Sequence, residues 1–262
     1  MTASLRIFFL GGLTSYRALF SWITPWVLIP TFIVAPLFEL LFFAFVGKDA
    51  GVGSNVFFLM GACVLSAAIP ALFAMGNTIA DERRTQTLGL LLVSPARRLP
   101  LFLGRALPVI LNGFLVSLVS LVLGALVLRV SLPPSTWLPL IVIIVVTSFS
   151  CTGLGLTGAA IGLRVRETAT LSNVILGILI VFGGAYAAVS TLPSWMQQVS
   201  QVLPLSHGIV AAREVASGVP FTDVLWLLRD EIAIGLAWAV LGMILLLFFE
   251  RESRRHATLE LA

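Results

Sequence analysis

Groups able to transfer protons, attack carbonyl or phosphoryl centres, or ligate metals are few in this sequence and stand far apart. The two histidines, His207 and His256, share no local spacing, and the two cysteines, Cys63 and Cys151, sit inside uncharged runs without metal-ligand spacing. The cysteines read as small apolar packing residues and carry no information about redox compartment. No pair of carboxylates sits within an apolar run, and no nucleophile turn of the Gly-x-Ser-x-Gly kind occurs. A phosphate-binding loop needs a glycine, four residues, then Gly-Lys and a hydroxyl, so that backbone amides cradle phosphates. The only lysine, Lys48, sits in FVGKDAG, without the earlier glycine or the following hydroxyl. The sequence therefore offers no catalytic residue, metal site or cofactor site, and ATP used to drive this protein would be bound by another polypeptide.

Two features remain. Glu39 is the one acid expected well inside an apolar run, about 11 Å of helix rise from its outer end, where an isolated carboxylate is costly. It reads either as facing a translocation path or as a protonated or hydrogen-bonded structural acid. The second feature is the basic break DERRTQTLGLLLVSPARRLPLFLGR, from Asp81 to Arg105. Asp81 is placed to cap a helix beginning near Glu82, and Pro95 disfavours helical geometry at Ser94, so a short helix is expected over 82–94. Leu88, Leu91 and Leu92 form an apolar stripe on it, while Arg83, Arg84 and Gln86 supply polar surface.

The elements that hold these residues are set by composition. The chain is 59% hydrophobic and 11% charged, against about 25% charged in soluble domains, so lipid is its solvent. Runs near the ~20 residues needed to cross hydrocarbon give six expected spans, about 22–46, 56–80, 106–128, 138–163, 168–189 and 232–249. Backbone amides in hydrocarbon must pair internally, and these runs are apolar on every face, so the spans are helices and not strands of a barrel. The expected fold class is an all-α integral membrane protein forming one domain over 1–262. Residues 1–21 read as an interfacial helix rather than a cleaved leader, because Gly11, Gly12 and Arg17 interrupt the apolar stretch.

Basic residues orient the spans. Of sixteen, twelve (Arg6, Arg17, Arg83, Arg84, Arg97, Arg98, Arg105, Arg164, Arg166, Arg251, Arg254 and Arg255) fall on one side, against Lys48, Arg129, Arg213 and Arg229 on the other. Retention of Lys and Arg inside places both termini in the cytoplasm, in a plasma or bacterial inner membrane. The net charge of +4 thus reflects topology and lipid contact rather than nucleic acid. Outside, 190–229 is too polar to span; Trp195, Met196, Val199, Val202 and Leu203 suggest a short interfacial helix broken at Pro204, with a second from His207 to Ala216. Gly158 and Gly162 form a small-xxx-small pattern suited to packing within the subunit, and Asn112 and Asn173 are expected to bridge helices.

In the basic loop, Glu82, Arg83, Thr87, Leu88, Leu91, Leu92, Val93, Ser94, Pro95, Arg97, Arg98 and Gly104 follow a pattern of charged start, leucine run, then proline with basic residues. With them, Leu192, Pro193, Trp195, Leu203, Pro204, His207 and Arg213 in the outer segment, and APLFELLFFAFVG near the end of the first span, make the chain resemble the permease subunits of type-2 ATP-binding-cassette exporters. The last motif is similar to the Pro-x-x-Glu pattern of nodulation lipo-oligosaccharide and daunorubicin exporters. Arg84 and Gln86 depart from that pattern, where a second Glu and a Gly are usual.

The resemblance implies a transport subunit rather than an enzyme. Its partners would be an ABC ATPase subunit holding ATP and Mg, and a second permease copy, identical or related, in membrane lipid. It also implies that Glu82, Arg83, Arg84, Thr87, Leu88, Leu91, Leu92 and Pro95 couple to the ATPase, and that Trp195, Pro204, His207 and Arg213 belong to an outer lid. With few charges among the spans, an amphipathic drug, antibiotic, lipid or glycolipid is the expected cargo. The alternatives are a proton-coupled secondary transporter using Glu39, and a non-transporting membrane scaffold or sensor.

Overall fold

The computed structural model describes residue 26 and residues 29–84, 98–165 and 167–256. A π-helical turn, Pro30–Val34, leads into α1 (Ala35–Asp49), followed by α2 (Asn55–Leu65), α3 (Ala68–Arg84), α4 (Arg98–Val127), α5 (Pro134–Gly162), α6 (Thr168–Phe182), α7 (Ser194–Val202), α8 (Ser206–Ala216) and α9 (Leu225–His256). No strand occurs among the described residues. Among the described residues, four segments are long and apolar enough to cross a bilayer: Asn55–Gly76, Gly104–Val127, Pro134–Gly162 and Phe221–Phe249.

The second expected span is two helices rather than one. Pro70 lies in the first turn of α3 and offers no N–H to the carbonyl of Ser66, so the helical ladder lapses at Ser66 and Ala67. Ser66 turns its hydroxyl back onto the Ala62 carbonyl at 2.8 Å. Both breakpoint residues are buried, and the kink is held from outside by α5, where a Cβ at Gly155 would lie 2.1 Å from the Ala71 carbonyl oxygen.

Other boundaries move for local reasons. α3 runs without a break through Asp81 to Arg84, since no Gly or Pro interrupts 77–84; Asp81 lies inside a helix and does not cap a new one at Glu82. Helix α6 stops at Phe182, where Gly183 and Gly184 follow and Gly184 takes φ +80°. Its 15 residues rise about 22 Å, short of the ~30 Å hydrocarbon core, and 183–188 continue as irregular chain instead of completing 168–189. At the other end, α9 begins at Leu225, well before Ile232, and carries Glu231 within the apolar helix. Glu39 is therefore not the only acid inside such a segment.

The bundle is organised around α5, which packs on α9, α3 and α4. Its contact with α9 is built from small residues: a Cβ at Gly153 would meet the Gly235 carbonyl at 2.3 Å, and one at Gly242 the Thr157 amide at 2.7 Å. Close approach lets hydroxyls reach across, Ser150 Oγ to the Glu231 carbonyl at 3.0 Å and Thr157 Oγ1 to the Trp238 carbonyl at 2.7 Å. Donors and acceptors both recur after seven residues, so the two helices run parallel in register, as small-residue packing between membrane helices allows. Gly158 and Gly162 face Ile175 and Thr168 of α6, so that pattern is used within the chain. Asn173 bonds the Ala169 carbonyl of its own helix at 2.9 Å, because its side chain folds back one turn rather than across to a neighbour.

Candidate functional site

The residues singled out in the first span and the outer segment converge at one end of the bundle. Tyr186, on the irregular chain after α6, sets its phenol against the Glu39 carboxyl. Its ring stacks on Phe43, one turn beyond Glu39, with centroids 3.8 Å apart and planes at 13°. Glu39 is half-buried. Glu39 thus has a polar neighbour from another element, while part of it still faces outward.

Arg213 of α8 sits beside this group. Its Nη2 donates to the Ala185 carbonyl at 2.7 Å and its Nε to the Phe57 carbonyl at 3.3 Å, with the guanidinium carbon 3.4 Å from the Phe57 ring centroid. One planar side chain thereby ties α8 to the start of α2 and to the residue preceding Tyr186, as a rigid multi-donor fork can. Gly61 makes room for this contact, since a Cβ there would fall 1.9 Å from the Ala185 oxygen. Burial brings the Arg213 pKa down to about 10, opposed by nearby Cys63, so it stays cationic at neutral pH. No carboxylate pairs with it among the described residues.

The other end of α8 is fixed by Glu231, which sequence reasoning missed. Fully buried, its carboxylate accepts the Leu205 N–H at 2.7 Å and the Gly208 N–H at 3.2 Å. A carboxylate at that position satisfies otherwise unpaired amides and complements the helix dipole. It also holds a strained turn: Leu205 has φ +91°, left-handed backbone that costs a bulky residue roughly 1–3 kcal/mol. The only sequence signal was an acid at the lip of an apolar run, which reads equally well as an interfacial charge.

Helices α7 and α8 are packed differently from each other. Helix α8 is inserted between α2, α5 and α9, with Gly208 so close to α5 that a Cβ would lie 2.3 Å from Thr147 Oγ1. On α7, Trp195 and Val202 are exposed while Ser200 is buried, its hydroxyl 3.0 Å from that of Ser206. Trp238 of α9 donates its indole N–H to the last carbonyl of α7, Val202, at 2.8 Å. Pro204 is buried in the turn between the two helices. His207 is half-buried; burial lowers its pKa, opposed by the charge of Asp230, and its Nδ1 has no hydrogen-bond partner among the described residues.

Of the loop residues expected to couple to an ATPase, Glu82, Arg83 and Arg84 form the last turn of α3. Thr87, Leu88, Leu91, Leu92 and Pro95 lie outside the described residues, as does the 1–21 segment. At the same end, Arg164 after α5 forms an ion pair with Glu252 near the end of α9 and stands over the Phe249 ring at 5.2 Å.

Residues 13–216 match the model of a protein family described as ABC-2 type transporter. No curated protein matches the chain. The matched stretch runs from before the first described helix to the end of α8 and takes in Glu39, Tyr186, Arg213 and the whole basic loop. An all-helical bundle with several membrane-crossing segments, matched over most of its length by that model, belongs to the ABC-2 type transporter family: it is an integral membrane permease component of an ABC transporter, without an ATP-binding site of its own.

Proposed function

We propose that this chain is the membrane subunit of an ATP-driven exporter for an amphipathic or lipid-linked substrate, such as a drug, antibiotic, lipid or glycolipid. The family match over 13–216 carries the reading. The ATP and Mg belong to a separate ABC ATPase subunit, and the permease works as a pair of identical or related copies with six spans each and both termini cytoplasmic. The fifth crossing combines α6 with the irregular chain after it. Resemblance to nodulation lipo-oligosaccharide and daunorubicin exporters favours export over import.

In this reading the 82–94 segment docks on the ATPase through Leu88, Leu91 and Leu92, with Glu82, Arg83, Arg84, Thr87 and Pro95 shaping its rim and ends. Nucleotide-driven closure of the ATPase displaces that segment and, through α3, biases the spans between inward- and outward-open states; reversing a 1:99 population takes about 5.5 kcal/mol of differential binding. Trp195, Pro204, His207 and Arg213 form the outer lid. The partnership of Glu39 with Tyr186 favours a structural role for this acid over a proton carrier.

The test is co-purification and transport. Leu88→Asp combined with Leu91→Asp should detach the ATPase while the permease stays in the membrane, and substrate-stimulated ATP hydrolysis by the reconstituted pair should disappear. A complex that survives with normal coupled transport rules the docking role out.

A further inference from the structure

Away from the lid, two exposed cations share a cleft of about 480 Å³ lined by Lys48, Gly53, Ser54, Asn55, Leu128, Arg129 and Ser131 among others. The cleft lies between the α1–α2 and α4–α5 turns, which are tied together by Asn55 Nδ2 donating to the Leu128 carbonyl at 3.3 Å. It is where two helices end and one begins. Helices α1 and α4 close in the same way, with Val52 N–H on the Gly47 carbonyl at 2.8 Å and Val130 N–H on the Ala125 carbonyl at 2.9 Å, and α2 starts between them, capped by Ser54.

Both turns need one residue with left-handed backbone, the position that glycine usually fills at a helix end. In the first turn it is Gly51, with φ +68°. In the second it is Arg129, with φ +53°, although the chain also uses glycine for such backbone at Gly184 and Gly218. A Cβ at that conformation crowds the following carbonyl oxygen, so the turn accepts strain to present a guanidinium. Neither Arg129 nor Lys48 has an ion-pair partner among the described residues, and the one nearby acid, Asp49, is not part of the lining.

The surroundings indicate what the cations meet. On the last turns of the two helices leading into the cleft, Phe45 and Val46 of α1 and Leu126 and Val127 of α4 are exposed. Those helices touch lower down, where a Cβ at Gly124 would lie 2.6 Å from Leu40. Apolar side chains turned outward on membrane helices, with two cations and hydroxyls at their ends, fit a molecule with a phosphate head and acyl tails. A free phosphate would gain nothing from the apolar flanks.

We infer that the Lys48–Arg129 cleft binds the headgroup of an anionic phospholipid, its phosphate between the two cations and the Ser54 and Ser131 hydroxyls, its tails along α1 and α4. Two positive charges select a lipid of net negative charge over a zwitterionic one. The site requires only that these helices stand in a membrane, and it fails or survives independently of ATPase coupling.

The test uses the purified full chain in detergent, titrated with phosphatidylglycerol or phosphatidylcholine of identical tails and followed by native mass spectrometry. Lys48→Gln and Arg129→Gly should each weaken phosphatidylglycerol binding about fivefold and leave phosphatidylcholine unchanged, and the double variant should bind phosphatidylglycerol more weakly than either. Arg129→Gly serves as its own folding control, because relief of the left-handed arginine should keep its melting temperature at or above that of the parent. Millimolar inorganic phosphate should not displace the lipid. Unchanged phosphatidylglycerol affinity in the double variant overturns the site, and displacement by inorganic phosphate overturns its assignment to a lipid.

Discussion

Arg213 of α8 and Ala185, on the irregular chain after α6, are joined by a 2.7 Å hydrogen bond from a guanidinium to a main-chain carbonyl. Because the same guanidinium also bonds the Phe57 carbonyl, its removal loses two hydrogen bonds at once and leaves the Ala185 carbonyl without this donor. Arg213→Ala is expected to cost roughly 2–3 kcal/mol. Arg213→Lys should recover only part of this, since an ammonium cannot span both carbonyls in the fork geometry. Thermal unfolding of the purified variants measures both.

Tyr186→Phe keeps the ring stacked on Phe43 and removes the donor to Glu39. A loss of about 1 kcal/mol is expected, with export retained. Glu39→Gln, which preserves an acceptor for the phenol, should be milder still in stability. A large fall in export from Glu39→Gln at normal stability would move Glu39 onto the translocation path.

Local packing predicts opposite outcomes for two glycines, Gly235 at the α5–α9 contact and Gly177 on α6. Gly235→Ala places a Cβ 2.6 Å from the Ser150 Cα, backbone that cannot swing aside, so folded yield should collapse. Gly177→Ala in α6 meets nothing within 4 Å and should be neutral or stabilising by up to about 1 kcal/mol. Size-exclusion profiles of the two proteins provide the comparison.

His207 sets a pH dependence. Its folded pKa is lowered, so the unfolded chain takes up the proton first as pH falls. Its contribution is intact above the unfolded value of about 6.5 and is lost as pH drops through the lower folded value. Melting temperature should therefore decline from pH 7 toward pH 5, and His207→Gln should flatten that part of the curve.

Long uncharged runs made the membrane helices legible, because nothing else in a sequence requires twenty apolar residues in a row. The lapse at Pro70 was present in the same letters, but a proline near the middle of an apolar run looks like a tolerated kink until the Ser66 carbonyl is seen without its donor. Glu231, Tyr186 and Arg213 were harder. Each recognises main-chain or side-chain atoms supplied by distant segments, and Ala185 or Phe57 gives no sign in its side chain that its carbonyl will be claimed. The pairing of Gly153 with Gly235 was half visible, as small residues on α5 whose counterparts on α9 are spread through a run of larger ones.

The lapse at Ser66 and Ala67 also divides labour along one crossing. An unbroken helix behaves as a stiff rod, and any tilt imposed on one end appears at the other. Here the α2 half is moored to Arg213 through Phe57 and to the turn after α4 through Asn55, while the α3 half continues to Arg84. With one rung missing between them, the two halves need not share one axis, and the close packing of Gly155 on Ala71 sets the direction that the α3 half takes from the break.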